Sequence, residues 1–343
     1  MRRLLNTLFV TTEDAYLALD GENVVIRHGE DEFARYPLHT LEGIFSFSYA
    51  GASPALMGAC ARYGINLCFC SPGGRFLART AGEANGNVLL RRTQYRTADD
   101  IFAGCRIARN MVFGKVFNAR WSVERTLRDH AMRVNTSCLE KASEYLQSSL
   151  KEISNAESLE QLRGIEGKAA AEYFGVLDDM ILANKDVFFF RERSRRPPLD
   201  NMNAMLSFSY ALLANDCASA LEAAGLDSYV GFLHRDRPGR ASLALDMMEE
   251  LRACCADRFV LTLINNRVVR ENDFEKRESG AVIMTDTGRK KLIRAWQERK
   301  RETITHPFLR EKIPWGLVPY VQALLLARYL RGDLDGYPPF LWK

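Results

Sequence analysis

Several features are missing from this 343-residue sequence, and each absence narrows what it can be. No stretch approaches the ~20 consecutive apolar residues that a membrane-crossing helix needs. The opening MRRLLNTLFVTTEDAYL has too short an apolar run for a secretory signal, so a soluble, cytoplasmic protein with no membrane association is expected. The eight cysteines contain no CxxC pair. Without a leader they read as reduced thiols, and Cys68 and Cys70, on one face of a strand, have no further ligands nearby to make a metal site. Internal repeats and low-complexity tracts are absent. A large excess of one sign of charge is also missing: the formal net charge is only +4, so any affinity for nucleic acid must come from local patches.

What is present is ordinary in bulk and informative in pattern. Hydrophobic residues make up 47% and charged residues 26%, which suits a soluble chain long enough for two domains. Short apolar or alternating runs at 4–11, 15–19, 24–28, 32–37, 43–47, 65–70 and 76–80 predict strands. Asp20-Gly21-Glu22-Asn23 is a hairpin signal, Ser53-Pro54 opens a short helix to about Tyr63, and Ser71-Pro72-Gly73-Gly74 is a tight turn. From Asn87 onward the apolar spacing is helical. The expected fold is therefore α+β, with a β-rich domain over 1–86 and a larger α-helical domain over 87–343 that carries the chemistry.

The stretch that organises the helical part is residues 231–252, GFLHRDRPGRASLALDMMEELR. His234 precedes a turn closed by Pro238 and Gly239, and Ser242 is expected to cap the helix that follows. Leu243, Met247, Leu251 and Cys254 share one face of that helix. Asp246 and Glu249 lie side by side on another, with Glu250 nearby, and repel unless a cation sits between them. One imidazole with carboxylates suits Mn²⁺ or Mg²⁺. The stripe Ser242, Asp246, Glu249, Glu250 and Asp257 is also what a solvated acidic face looks like. An earlier helix opened by Ser158 places Glu166 among Leu162, Ala169, Ala170 and Tyr173, where a carboxylate needs a cation or a hydrogen-bond partner. Gly164 and Gly167 beside it each cost a helix about 1 kcal/mol relative to Ala, which suggests the close approach of a backbone or ligand.

Basic residues cluster in two further places. Phe188 to Pro198 joins aromatics to Arg191, Arg193, Arg195 and Arg196, a combination that suits phosphates and stacked bases. The helix at 285–301 presents Lys290, Lys291 and Arg294, and the turn after His234 contributes Arg240. A solvated linker and an exposed basic face are the plain alternatives.

The string His234, a Gly-Arg turn, then Ser-Leu-Ala-Leu-Asp-x-Met-Glu-Glu resembles the CRISPR-associated integrases, the Cas-one endonucleases of spacer acquisition. Arg163-Gly164-Ile165-Glu166-Gly167 resembles their earlier glutamate motif, and the tail WGLVPYVQALLLARYLRGDLDGYPPFLWK is similar to that of subtype I-C members. The three motifs stand in the family's order and the resemblance covers essentially the whole chain. It implies Glu166, His234 and Glu249 as catalytic ligands of one Mn²⁺ or Mg²⁺, with Asp246 behind them or as an alternate ligand. It also implies attack of a DNA 3′-hydroxyl on a phosphodiester, so that short fragments of foreign DNA enter a CRISPR array. Double-stranded DNA, a homodimer built through the β domain and a small Cas-two partner are the implied associates. Two other readings share these residues: a metal-dependent nuclease without integration, and a non-enzymatic nucleic-acid scaffold.

Overall fold

The computed structural model describes residues 7–29, 31–41, 43–71, 76–80 and 88–343. The expected turn at 71–74 falls largely outside them. The chain divides into two compact units. One comprises Met1–Asn85, Met284–Glu302 and Pro314–Leu317; the other comprises Gly86–Ile283, Thr303–Ile313 and Val318–Lys343. The first of these units also takes in the basic helix at 285–301, which the sequence placed with the helical residues after 87.

Among the described residues seven strands and a helix come first: β1 (Thr7–Val10), β2 (Ala15–Asp20), β3 (Asn23–His28), β4 (Asp31–Pro37), β5 (Gly43–Ser46), α1 (Pro54–Tyr63), β6 (Asn66–Cys70) and β7 (Phe76–Arg79). β2, β3 and β4 form an antiparallel sheet. A second sheet runs β1-β5-β6-β7, parallel except for its last pair. Gly21, at φ 58, makes the two-residue turn that pairs Asp20 with Asn23. Ser53 caps α1 through the Leu56 amide, as its sequence suggested. Leu17, Val24 and Ile26 from one sheet, Val10, Ile44 and Leu67 from the other, and Leu56 and Cys60 from α1 bury one shared apolar core.

The second unit is almost wholly helical, and no strand lies between residues 160 and 260. α2 (Val88–Asp99) leads to α3 (Ile101–His130), which is 30 residues long. Asp100 caps α3 by accepting from the Phe102 and Ala103 amides. α4 (Thr136–Ser154), α5 (Leu159–Gly175) and α7 (Ser242–Leu251) pack on α3, and α6 (Asn201–Ala223) packs on α7. After α7 the helix widens into a π-helical turn, Arg252–Asp257, before α8 (Arg258–Asn265). The hairpin β8 (Phe274–Lys276) and β9 (Val282–Met284) precedes the basic α9 (Asp286–Arg301). β10 (Thr303–Thr305) pairs with β11 (Lys312–Pro314), and α10 (Val318–Arg331) leads to the tail. Among the described residues no helix is long and apolar enough to cross a membrane.

The tail is tied into the centre of this unit. Asn118 on α3 donates to the carbonyls of Glu250 and Phe340, each at 2.7 Å, and accepts from the Trp342 amide at 2.9 Å. Glu250 is fully buried, and burial raises its carboxyl to about 7 despite three donors: the Tyr337 hydroxyl, the Phe340 amide and the Gln322 amide. Gly114 makes this packing possible, since a Cβ there would stand 2.9 Å from the Glu250 Cβ. Tyr337→Phe, which removes one donor from a buried carboxylate, should therefore cost about 1–3 kcal/mol in urea unfolding. Tyr63→Phe, on an exposed ring, should change the midpoint little; equal effects would mean that the Glu250 anchor carries no stability.

Candidate metal site and nucleic-acid cleft

The acidic stripe of α7 is not solvated. Asp246 and Glu250 are 0% exposed and Glu249 is 4% exposed, so each carboxylate must be compensated inside the fold. Asp246 is compensated by the segment before the helix. It accepts from the backbone amides of Phe232, Leu233 and His234 at 2.6, 2.9 and 3.0 Å, and its Oδ1 lies 2.5 Å from His234 Nδ1. Two corrections follow. Asp246 has no oxygen left over for a metal, so it holds the imidazole from behind rather than serving as an alternate ligand. Ser242 does not cap α7: Ala241 occupies the cap position without a side-chain bond, and the Ser242 hydroxyl donates to the Arg235 carbonyl. With a carboxylate on Nδ1, the imidazole keeps its proton there and leaves Nε2 as a free donor atom.

Glu249 and Glu166 are compensated by lysine and arginine. Lys115 Nζ pairs with Glu166 Oε1 and lies 2.7 Å from Glu249 Oε2, while Arg252 Nη2 reaches Glu249 Oε1 at 3.1 Å. Burial pushes the Glu249 carboxyl up, but Arg252 and Lys115, with His234, hold it down at about 2. The π-helical turn is what aims Arg252 here, and the guanidinium stacks 4.8 Å from the centre of the Tyr210 ring. Behind it Tyr210 donates to Asp257 at 2.5 Å.

Glu166, His234 and Glu249, from three separate parts of the sequence, line one cleft of about 720 Å³. Lys115, Arg163, Arg195, Arg235, Arg237, Arg240 and Arg252 line it too. Glu166 is half-buried, but nothing approaches Gly164 or Gly167: a Cβ at either would meet no atom within 4 Å, so these glycines leave the surface open. Among the described residues no three His, Cys, Asp or Glu side chains stand close enough together to grip an ion as they are. The residues nevertheless fit a hard divalent cation. An ammonium stands in where the two carboxylates meet, pairing with Glu166 and lying 2.7 Å from Glu249 Oε2, and carboxylate oxygens with one imidazole are a donor set such an ion takes.

Of the other expected residues, Arg195 and Arg240 reach the cleft. Arg191 and Arg196 are exposed beside it in sequence but do not line it. Arg193 does not line the cleft: it bonds Asn203 at 2.6 Å and Ser207 at 3.0 Å and stacks on Tyr210. Lys290, Lys291 and Arg294 lie on α9, in the other compact unit, and Arg294 pairs with Glu298 at 3.0 Å. Lys115 and Arg252 line the cleft as well, beside the two glutamates. The usable signals were a lysine beside a glycine on a long helix, and an arginine three residues after Glu249.

A family model described as CRISPR associated protein Cas1 matches residues 8–298. The chain belongs to the Cas1 family. It is 49% identical over its full length to a CRISPR-associated endonuclease Cas1 of Chlorobaculum tepidum, covering all of that protein. It is 45% identical to one from Moorella thermoacetica, again over the whole of both chains. A Cas4 exonuclease/Cas1 endonuclease fusion of Geobacter sulfurreducens is 36% identical over 98% of this chain and 60% of the fusion. The fold matches a casposase bound to integration product (TM-score 0.84, 20% identity, 98% and 94% of the two chains). It also matches a Cas1 protein from Thermotoga maritima (TM-score 0.80, 20% identity, 95% and 97%).

Two outcomes test this Cas1 site. Gly231 lies against the carboxylate anchor, and a Cβ there would be 2.8 Å from Asp246 Oδ2 and 2.9 Å from Ser242 Cβ. Gly231→Ala should cost about 1–3 kcal/mol in urea unfolding, as overpacking does; an unchanged midpoint would show that the loop yields freely. Burial raises Asp257 to about 6, against the pull of Tyr210 and Arg252. The folded state therefore holds that proton to higher pH than the unfolded chain, whose aspartates titrate near about 3.9. The resulting stability is full below about pH 4 and is lost as pH rises through about 6. Relative to Asp257→Asn, the wild type should thus lose stability between those values, and parallel curves would contradict it.

Proposed function

We propose that the cleft is the active site of a metal-dependent DNA endonuclease and strand transferase of CRISPR adaptation, which joins short foreign DNA fragments to a CRISPR array. The observation that carries this reading is the gathering of Glu166, His234 and Glu249 in one cleft rimmed by arginines. Relatives named CRISPR-associated endonuclease Cas1, at up to 49% identity, and the fold shared with a casposase bound to integration product point the same way.

In this mechanism Nε2 of His234 and the carboxylates of Glu166 and Glu249 would hold one Mn²⁺ or Mg²⁺. When bound, such an ion makes a coordinated hydroxyl more acidic and draws charge from the phosphodiester. The chain's own residues do the rest. Asp246 keeps the Nδ1 proton in place and stops the imidazole from turning. Arg163 donates to the Leu233 carbonyl at 2.5 Å and ties the His234 segment to α5. Arg195, Arg235 and Arg237 offer forked donors to backbone phosphates, while Arg240 donates to the Arg235 carbonyl and the Ser242 hydroxyl. Among the described residues lining the cleft none is Ser, Thr, Cys or Tyr. The attacking oxygen therefore comes from the substrate side: a DNA 3′-hydroxyl gives strand transfer and water gives nicking. No covalent link between protein and DNA forms.

The assembly we propose is a homodimer through the N-terminal unit, joined to a small Cas2 protein and holding double-stranded DNA in the cytoplasm. The exposed Phe33 and Tyr36 on β4 offer an apolar surface for the first of these associations, and one fold neighbour is a complex that contains Cas1 and Cas2.

The test is a gel assay that joins a DNA fragment with a free 3′-hydroxyl to a CRISPR-array target, with Mn²⁺, Mg²⁺ or chelator, with and without Cas2. Chelator should abolish joining. His234→Ala and Glu166→Gln should each lower it more than about a hundredfold, beyond the loss of an outer-shell partner. DNA affinity measured in chelator should survive both changes. Charge reversal at Arg195 and Arg237 should instead weaken DNA binding and flatten its dependence on salt by about one unit of slope for each phosphate that is no longer neutralised. Joining that persists in chelator would overturn the metal reading, and metal-dependent cleavage without joining would leave a plain nuclease.

A further inference from the structure

Four formal charges meet at the centre of the cleft, and they already cancel. Glu166 and Glu249 supply two negative charges, and Lys115 and Arg252 two positive ones. The two cations are held very differently. Arg252 is fixed by its stack on Tyr210 and by Glu249 at 3.1 Å, although the two side chains are equally buried, 14% exposed for Arg252 and 13% for Lys115. Lys115 ends a flexible four-carbon stem. Its ammonium pairs with Glu166 and lies 2.7 Å from Glu249 Oε2. It also borders the open cleft, where arginines leave excess positive charge.

A divalent ion placed among these carboxylates with both side-chain cations still present would leave two uncompensated positive charges in a mostly buried site. Such a state is disfavoured. The cation that can leave is Lys115, and the phosphates of bound DNA are the anions within the cleft that could receive it. Resting on the metal-dependent reading above, we propose that Lys115 is a built-in counter-cation. It neutralises Glu166 and Glu249 before metal loads, gives them up to the divalent ion, and then pairs with a DNA phosphate in the same cleft. Metal loading and DNA binding thereby reinforce each other, and by linkage the reinforcement is equal in both directions.

The experiment measures Mn²⁺ affinity of the full-length protein by titration calorimetry or Mn²⁺ spin resonance. It uses wild type, K115M and K115R, with and without a short duplex whose 3′ ends are dideoxy-terminated, so that no joining occurs. DNA affinity is measured in parallel by fluorescence anisotropy with and without Mn²⁺. Wild type should bind Mn²⁺ about tenfold more tightly with the duplex present, and the duplex about tenfold more tightly with Mn²⁺ present. K115M should bind Mn²⁺ more tightly than wild type when no DNA is present, because the competing cation is gone. It should show little coupling, and Mn²⁺ should raise its melting temperature more than that of wild type. K115R should keep weak Mn²⁺ binding. If K115M does not fold, K115Q, which retains an amide donor for Glu166, is read by the same titrations. Equal or weaker Mn²⁺ affinity in the uncharged variant, or coupling that survives it, overturns the counter-cation role while leaving the metal site standing. Absence of Mn²⁺ binding by wild type at millimolar concentration overturns both readings.

Discussion

Everything in the helical unit answers to one constraint: α7 carries three carboxylates, Asp246, Glu249 and Glu250, into the interior within a single turn and a half. A buried carboxylate without compensation is among the most costly things a fold can contain. This chain meets the demand in three chemically different ways. Asp246 is wrapped by backbone amides and an imidazole, Glu249 is paired with cations, and Glu250 is held by neutral donors from the C-terminal tail and Gln322. The differences decide what each can do. Asp246 is spent on architecture and Glu250 is pushed toward its protonated form. Glu249 alone stays strongly ionised beside open space.

That division reaches far along the chain. Asp246 dictates the conformation from Gly231 to His234 and leaves room for no side chain at Gly231. Glu250 recruits Tyr337 and Phe340 from nearly ninety residues away in sequence, and Asn118 fastens the same tail to α3. Gly114 permits the close approach of α7, and the next residue, Lys115, enters the cleft from that same helix. A tail that looks peripheral in sequence therefore bears on the orientation of the helix that carries Glu249, which links packing at the terminus to chemistry in the cleft.

The secondary structure was readable because local rules agreed with it. Strand alternation, the Asp20 to Asn23 turn and the caps at Ser53 and Ser158 each act over a few residues, and tertiary packing reinforced them. Where local rules were overridden, the cause was packing. α3 runs to His130 with α4, α5 and α7 packed against it. Ser242 enters the helix instead of capping it because its hydroxyl is engaged by Arg235.

The order of motifs, Glu166, then His234, then the acid pair, is a property of the sequence, and so is the chemistry available from one imidazole and several carboxylates. What the sequence could not decide was whether the acids were solvated. Helical spacing puts residues on one face but does not say which face meets the core, and that answer came from α3 and α6 closing over α7. Nor could local pattern assign partners separated by fifty to more than a hundred residues. Lys115 with Glu166 and Glu249, and the tail with Glu250, meet only after the helices pack. The arginines divide for the same reason: Arg195 stays in the cleft while Arg193, two residues away, turns inward onto Tyr210. Charge in a sequence fixes what a side chain can bind, and burial fixes which of its possible partners it keeps.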